Sequence, residues 1–175
     1  MTIEEIKKGI VSSDLKHAGA YNYIHQNKPK FIVEYGGGKS TFYLTELVNY
    51  LNYGGKVVGY ESSPEWYQDH IDNGWNKHNN IFLVDVDHFS YLGKFHVIRY
   101  LHPIQDIIDT DFMIIDGPDL TLYDPYPVST INLLDLVQHT GREIPYFIDG
   151  RTSTKTFYRT RLKENLEVED TKITT

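Results

Sequence analysis

The sequence predicts an α/β fold, with a mostly parallel central sheet and helices on both of its faces. Short apolar runs, of which residues 31–33 and 112–115 are the clearest, alternate with amphipathic stretches of helical spacing. This alternation is typical of a parallel sheet whose strands are joined by right-handed helical crossovers. Acidic residues follow the predicted strands. They lie at the carboxyl ends, where such sheets bind ligands.

The strands are predicted from their apolar character and their length. Residues 112–115 are almost wholly apolar, as expected for a parallel strand that is buried on both faces. Residues 95–100 fit either a short strand or part of a helix. The last strand is short and lies at the edge of the sheet, and an antiparallel direction is one option for it. In chain order, the predicted strands are residues 31–35, 56–60, 81–86, 112–115, 145–148 and 166–173.

The helices are predicted from apolar spacing and from their ends. Leu44, Leu47 and Leu51 belong to the stripe of a helix that packs on a sheet. Ser63 and Pro64 give the next helix its N-cap and its first residue. We expect a helical segment within residues 1–28 to pack on the sheet, and residues 1–175 to form a single domain. The predicted helices are residues 14–26, 40–53, 64–71, 129–139 with Ser129 as the cap, and 154–162.

The composition argues against several classes of protein. The chain has 24 Asp and Glu residues against 17 Lys and Arg residues, so it lacks the basic surface that long nucleic acids require. It contains no cysteine, which excludes disulfides and thiolate metal sites. No apolar run reaches the roughly 18 residues of a membrane span, and the first residues do not resemble a secretory signal. We therefore expect a cytoplasmic protein with a small-molecule partner, and neither a nucleic-acid nor a membrane partner.

The stretch FIVEYGGGKST predicts a strand, a glycine turn and the start of a helix. A phosphate-binding Walker loop would need a glycine in place of Val33. A dinucleotide-binding G-x-G-x-x-G turn would need a glycine or an alanine in place of Thr41. The third interpretation is E-x-G-x-G, formed by Glu34, Gly36 and Gly38. Its acid suits a positively charged ligand, because a carboxylate can pair with an ammonium group. The residues favour this third interpretation.

Glu61 follows the second predicted strand, about 25 residues after Gly36, near the distance at which an acid hydrogen-bonds ribose hydroxyls. Each hydrogen bond to a charged group contributes about 1.5–3 kcal/mol. A solvated glutamate at the end of a strand is the alternative, since exposed glutamates are common. The position of Glu61, after a buried strand and before a capped helix, favours a ligand.

Together these residues resemble the class I S-adenosylmethionine-dependent methyltransferases, from about residue 15 to residue 157. The resemblance implies a Rossmann-like three-layer sandwich with S-adenosyl-L-methionine as the cofactor. The cofactor positions that it implies are Glu34, Gly36 and Gly38 at the amino-acid end, Glu61 and the adjacent Ser62 at the ribose, Asp85 and Val86 at the adenine, and Asp116 at the methyl end.

The same resemblance implies direct transfer of a methyl group to a small molecule or to a sugar hydroxyl. Asp116 would be the catalytic base if the acceptor is a hydroxyl. Two alternatives stay open. One is a different nucleotide-binding enzyme with a Rossmann-like fold, and the other is a non-catalytic cofactor-binding or assembly protein that retains the fold.

Asp116 and Asp149 end neighbouring predicted strands, in MIIDGPD and YFIDGRT. Two carboxylates side by side could bind a divalent cation, which prefers oxygen ligands. Two acids are an incomplete ligand set, so the favoured interpretation has no metal. In that interpretation, Asp116 orients the cofactor or substrate, and Asp149 pairs with Arg151 or caps a helix.

Two surface segments carry further expectations. Residues 119–130 include Pro125 and Pro127 and look too irregular for a helix or a strand. The family uses this region to cover the acceptor, although a rigid surface connection is the alternative. The edge strand at residues 166–173 would expose unpaired backbone groups. A homo-oligomer could form through that edge.

Overall fold

The computed structural model describes residues 1–12, 16–117 and 128–169. It has one sheet of six strands, in which all neighbours run parallel, and a second sheet of three strands. The strands are β1 (Phe31–Tyr35), β2 (Lys56–Glu61), β3 (Ile81–Leu83), β4 (Val86–Tyr91), β5 (Phe95–Tyr100), β6 (Phe112–Ile115), β7 (Val128–Thr130), β8 (Tyr146–Ile148) and β9 (Glu167–Val168). The helices are α1 (Ile3–Ile10), α2 (Ala18–Asn27), α3 (Lys39–Leu51), α4 (Pro64–Asp72), α5 (Asn132–Thr140) and α6 (Thr152–Arg159).

The predicted α/β fold with a mostly parallel sheet is confirmed. The strands of the large sheet lie in the order β3-β2-β1-β6-β8-β9. The chain therefore builds one half of the sheet outward from β1 and then crosses back to β6 on the other side. A reversal of this kind opens a crevice at the carboxyl ends of the two central strands. Tyr35 of β1 pairs with Tyr60 of β2 and with Ile115 of β6, so these three strands end close to one level.

The second sheet is a β4–β5 hairpin to which β7 adds in parallel. Residues 95–100, left open between strand and helix, therefore form a strand. The prediction that the third strand reaches Val86 was wrong, since Val86 pairs with Tyr100 in the hairpin. The backbone turns away from β2 at this point, because the Leu101 amide donates to the Asp85 carbonyl at 2.8 Å.

The N-terminal region contains two helices, where the sequence predicted one at residues 14–26. Residues 14 and 15 of that predicted helix lie outside the described residues, and α2 begins at Ala18, four residues after the predicted start. A capping box begins α1: the Thr2 hydroxyl accepts from the Glu5 amide at 3.3 Å, and the Glu5 carboxylate accepts from the Thr2 amide at 2.7 Å. Ile6 and Ile10 of α1 are fully buried in the same apolar cluster as residues of the sheet. The two helices therefore cover one face of the sheet.

The prediction that Ser129 caps a helix was wrong. Ser129 lies in β7, where it pairs with Val97, and α5 begins three residues later. The Asn132 side chain accepts from the Tyr100 amide and donates to the Tyr100 carbonyl, both at 2.9 Å. This amide fixes the start of α5 to β5. The last three residues of the predicted acceptor loop thus belong to a strand, and most of the loop lies outside the described residues.

The C-terminal edge strand β9 runs parallel to β8, so the antiparallel option was wrong. It covers two residues of the predicted strand at 166–173, and residues 170–175 lie outside the described part. Preceding it, α6 begins two residues before the predicted start at residue 154. Phe157 and Tyr158 of α6 are fully buried and fix the helix against the sheet.

Apolar side chains pack on both faces of the large sheet. Val33 and Ile115 face a cluster with α5, α6 and the hairpin, whereas Ile32 and Ile114 face α1, α2 and α3. Adjacent residues of a strand point to opposite faces, so the central strands serve both clusters. The result is a three-layer arrangement. The crevice lies at the edge of the middle layer where the central strands have their carboxyl ends. Among the described residues, no helix combines the length and the apolar character that crossing a membrane would require.

Candidate functional site

The glycine turn joins β1 to α3 at the centre of the sheet edge. Gly36 has a φ of +84°, and a Cβ atom there would lie 2.4 Å from the Gly117 amide nitrogen. A Cβ atom on Gly37 would lie 2.7 Å from the Gly59 Cα atom. The turn therefore packs backbone against backbone, on the end of β6 on one side and on β2 on the other. Side chains at these positions would separate the three central strands.

Protein acceptors bind all three amide groups of the turn. The Gly36 and Gly37 amides both donate to the Tyr60 carbonyl, at 2.9 and 3.0 Å. The Gly38 amide donates to the Thr41 hydroxyl at 3.0 Å. Loops that bind phosphate use such amides as donors to phosphate oxygens. In this turn those donors are already engaged.

Glu34 lies beneath the turn and is fully buried. Its Oε2 atom accepts a hydrogen bond from the Thr41 hydroxyl, which links the end of β1 to the first turn of α3. Burial raises the pKa of Glu34 to about 7, an effect that His17 and the hydroxyls at the start of α3 partly offset. A direct contact with a cofactor ammonium group, as predicted for Glu34, would therefore require neighbouring side chains to move.

We expect Thr41→Val to reduce the free energy of unfolding by about 1–3 kcal/mol, because the buried Glu34 carboxyl group would lose a hydrogen-bond donor and the Gly38 amide would lose its acceptor. Thr41→Ser keeps the hydroxyl and is the matched control. Urea unfolding followed by circular dichroism measures both variants. If the valine variant were as stable as the serine variant, the bond between Thr41 and Glu34 would contribute nothing to the turn.

Three side chains meet behind the turn: His17 at the start of α2, Glu34 at the end of β1, and Asp116 just after β6. The His17 Nε2 atom lies 3.7 Å from Glu34 Oε1 and 3.8 Å from Asp116 Oδ2. His17 and Glu34 are fully buried, whereas 22% of the Asp116 side chain is exposed. His17 has no signal in the sequence, since its partners come from distant strands and no local spacing marks it.

Arg151 holds Asp116 from the other side. The guanidinium group donates to the Asp116 carbonyl and lies 3.4 Å from Asp116 Oδ1. The sequence suggested that Asp149 pairs with Arg151 or caps a helix, and the structure shows that Arg151 forms an ion pair with Asp116. Burial raises the pKa of Asp116, while His17 and Arg151 lower it and Asp149 raises it further. Asp149 thus lies near Asp116, as predicted from the neighbouring strand ends.

Glu61 ends β2 and is almost buried, with 8% of its surface exposed. Its Oε1 atom accepts from the amides of Ser62 and Ser63, both at 2.7 Å. The Ser63 hydroxyl in turn accepts from the Trp66 amide at 3.3 Å, as predicted for the N-cap of α4. Ser62 is partly exposed beside the carboxylate. The carboxylate of Glu61 is therefore held in a fixed position at the edge of the crevice.

The other predicted cofactor positions are Asp85, Val86 and Gly38, and they differ in how exposed they are. Asp85 is exposed and Val86 is half-buried, and both lie beyond the end of β3. Gly38 lies under a side chain of the protein, since a Cβ atom there would be 2.4 Å from His70 Nε2. His70 of α4 therefore covers this part of the turn, and the sequence analysis did not identify it. Burial lowers the pKa of His70, which favours its neutral form.

Aromatic side chains from β1 and β2 pack against His102, which follows β5. His102 stacks on Tyr60, with ring centroids 4.2 Å apart, and its Nε2 atom lies 2.8 Å from the Tyr35 hydroxyl oxygen. Burial lowers the pKa of His102. Next to this group lies a cavity of about 230 Å³, which combines polar and apolar walls. Its lining residues are Arg99, Tyr100, His102, Ile104, Ile107, Asn132 and Asp135.

No protein-family model and no curated protein sequence matches the chain. Among solved structures, the chain is similar to the NAD-complexed D-isomer specific 2-hydroxyacid dehydrogenase from Lactobacillus delbrueckii ssp. bulgaricus, with 13% sequence identity and a TM-score of 0.30. The similarity covers 94% of this chain and 53% of the dehydrogenase chain, so this chain spans about half the length of that protein. A similarity this low says nothing about activity or ligand.

Proposed function

We propose that this chain binds S-adenosyl-L-methionine at the carboxyl ends of β1, β2 and β6, and transfers its methyl group directly to a small molecule or a sugar hydroxyl. One observation carries the choice of ligand: the amides of Gly36, Gly37 and Gly38 all donate to acceptors within the protein. ATP and NAD would need such donors for their phosphate oxygens. A nucleoside that carries a sulfonium instead of phosphates does not need them.

The exposed positions of the crevice support a path for this ligand. Gly36, Ser62 and Asp116 are partly exposed at the ends of β1, β2 and β6. Glu61 would accept hydrogen bonds from the ribose hydroxyls beside Ser62. The adenine would extend toward Asp85 and Val86, past the end of β3. Because Glu34 is fully buried, its part in this proposal is to hold the turn in place.

Asp116 is the acid that a ligand can reach near the reacting centre. Methyl transfer from a sulfonium is a direct displacement, so aligning the acceptor with the methyl group can supply much of the acceleration, up to about 7–11 kcal/mol. A hydroxyl acceptor must also lose a proton. Burial raises the pKa of Asp116, which makes this carboxylate a stronger base than an ordinary aspartate.

The cavity beside His102 offers a place for a polar acceptor. The Arg99 guanidinium and the Asp135 carboxylate form a two-point pair in its wall, at 2.7 and 3.1 Å. Ile104 and Ile107 supply its apolar wall. A lining that combines hydrogen-bonding groups with methyl groups suits a sugar or another hydroxylated small molecule.

Thermal unfolding with three separate ligands tests the proposal. We expect S-adenosylhomocysteine to raise the melting temperature, and ATP and NAD to leave it unchanged. At a ligand concentration of 100 times Kd, binding stabilises the folded state by about 2.7 kcal/mol. Stabilisation by NAD or ATP alone would overturn the choice of cofactor. Binding of S-adenosylhomocysteine without methyl transfer to any acceptor in a panel of sugars and small hydroxyl compounds would favour a non-catalytic protein.

A further inference from the structure

The side chains of His17, Glu34 and Asp116 form a compact cluster with one common meeting point. One ligand atom from each residue lies within 4.8 Å of the others. The three residues come from the start of α2 and from the ends of β1 and β6. His17 and Glu34 are fully buried, so the packed interior holds both of these side chains.

Each carboxylate in this cluster has one oxygen held by a neighbour and one oxygen directed at His17. Thr41 donates to Glu34 Oε2, and Glu34 Oε1 lies 3.7 Å from His17 Nε2. Arg151 lies against Asp116 Oδ1, and Asp116 Oδ2 lies 3.8 Å from the same nitrogen. Outer contacts of this kind orient the ligands of a metal ion.

The inward oxygen of Glu34 supplies a second, independent observation. Glu34 Oε1 is buried, and within residues 1–12, 16–117 and 128–169 it has no hydrogen-bond partner. Buried polar atoms in native proteins almost always have a partner. This unpartnered oxygen indicates a missing cation at the meeting point.

We propose that His17, Glu34 and Asp116 bind a divalent transition-metal ion, with Zn²⁺ and Mn²⁺ as the candidates. One imidazole and two carboxylates form a mixed nitrogen and oxygen set, which suits these ions better than Mg²⁺. Ligand atoms around such an ion lie about 3.3–3.4 Å apart when bonds of about 2.0–2.1 Å meet at tetrahedral angles. Shifts of a few tenths of an ångström would bring the His17 distances into that range.

The metal site shares Asp116 with the proposed cofactor site and adds His17 and Glu34, which are fully buried. A bound ion would hold Asp116 Oδ2, while Arg151 lies against Oδ1. The competing explanation is an ion pair without metal, in which a protonated His17 lies between the two carboxylates. A bound metal ion requires that His17 Nε2, the nitrogen that faces both carboxylates, carries no proton. In the ion pair without metal, the same nitrogen carries a proton.

The test is calorimetric titration of the full chain, stripped with EDTA and dialysed, with ZnCl₂, MnCl₂ and MgCl₂ in separate experiments and without cofactor. We expect one equivalent of Zn²⁺ or Mn²⁺ to bind more tightly than Mg²⁺. His17→Gln and Asp116→Asn should each weaken that binding by at least about 10–100-fold. Glu65→Gln is the matched control, because it removes one exposed acid of α4 outside the cluster, and its affinity for the metal should equal that of the wild type.

Two results would overturn the metal site. One is the absence of saturable binding of Zn²⁺ and Mn²⁺ by the wild type. The other is a doubly protonated His17 in ¹⁵N NMR spectra at saturating metal, which needs no variant and so does not depend on variants that fold. Because cofactor is left out, failure of S-adenosylhomocysteine to bind would leave both results unchanged.

Discussion

Glu61→Gln is expected to abolish measurable binding of S-adenosylhomocysteine in calorimetry. The two ribose hydroxyls would each lose a hydrogen bond to a charged acceptor, at about 1.5–3 kcal/mol for each bond. Their combined loss corresponds to a decrease in affinity of about 10²–10⁴-fold. Glutamine is chosen because its carbonyl oxygen can still accept from the amides of Ser62 and Ser63, as Glu61 Oε1 does. The start of α4 should therefore keep its structure.

Glu65→Gln is the matched control for this experiment. Glu65 lies exposed in the first turn of α4, so this variant removes the same charge close by without touching the crevice. Its affinity for S-adenosylhomocysteine should equal that of the wild type. The melting temperatures of both variants without ligand should also stay close to the wild-type value. Unchanged affinity in a folded Glu61→Gln variant would remove Glu61 from the cofactor site.

Gly36→Ala is expected to destabilise the fold by about 2–5 kcal/mol, which combines the strain of a positive φ with overpacking. The new methyl group would lie 2.4 Å from the Gly117 amide nitrogen, and rigid backbone cannot yield as a flexible side chain can. Many domains are stable by only about 5–15 kcal/mol, so a loss of this size is a large fraction of the total.

Gly54→Ala separates the two contributions. Gly54 has a similar φ of +74°, but a Cβ atom there would meet no other atom within 4 Å. This variant should therefore lose only the cost of the left-handed backbone, about 1–2 kcal/mol. Chemical unfolding of both variants under the same conditions gives the difference between their free energies of unfolding. Equal losses would show that the contact between the β1 and β6 turns does not constrain position 36.

The parts of the fold that the sequence predicted correctly are those whose signals are local. The apolar runs of β1, β2, β6 and β8 and the cap of α4 are visible within a few residues, and they are found close to their predicted bounds. The hairpin was harder, because β4 carries polar side chains such as Asp87, His88 and Ser90 and so lacks the apolar run of a buried strand. Helix α1 has a local signal in its sequence, the Thr2 and Glu5 spacing of a capping box.

The residues of the candidate site also divide into those with a local signal in the sequence and those without one. Glu34, Glu61 and Asp116 were predicted because each follows an apolar strand, and the structure brings them to one edge of the sheet. His17 and His70 could not be predicted, since each meets the turn only through tertiary packing. The engagement of the glycine amides was equally hidden, because the carbonyl that accepts two of them belongs to Tyr60 on another strand.

The paired glycines at the sheet edge have an evolutionary consequence. Gly36 faces Gly117, and Gly37 faces Gly59, with no room for a side chain between the members of either pair. No substitution at the counterpart could make room, because the atoms that a new side chain on Gly36 or Gly37 would meet first belong to backbone that every residue carries. Among descendants of a common ancestor, Gly36 and Gly37 should therefore stay glycine whatever else changes around them.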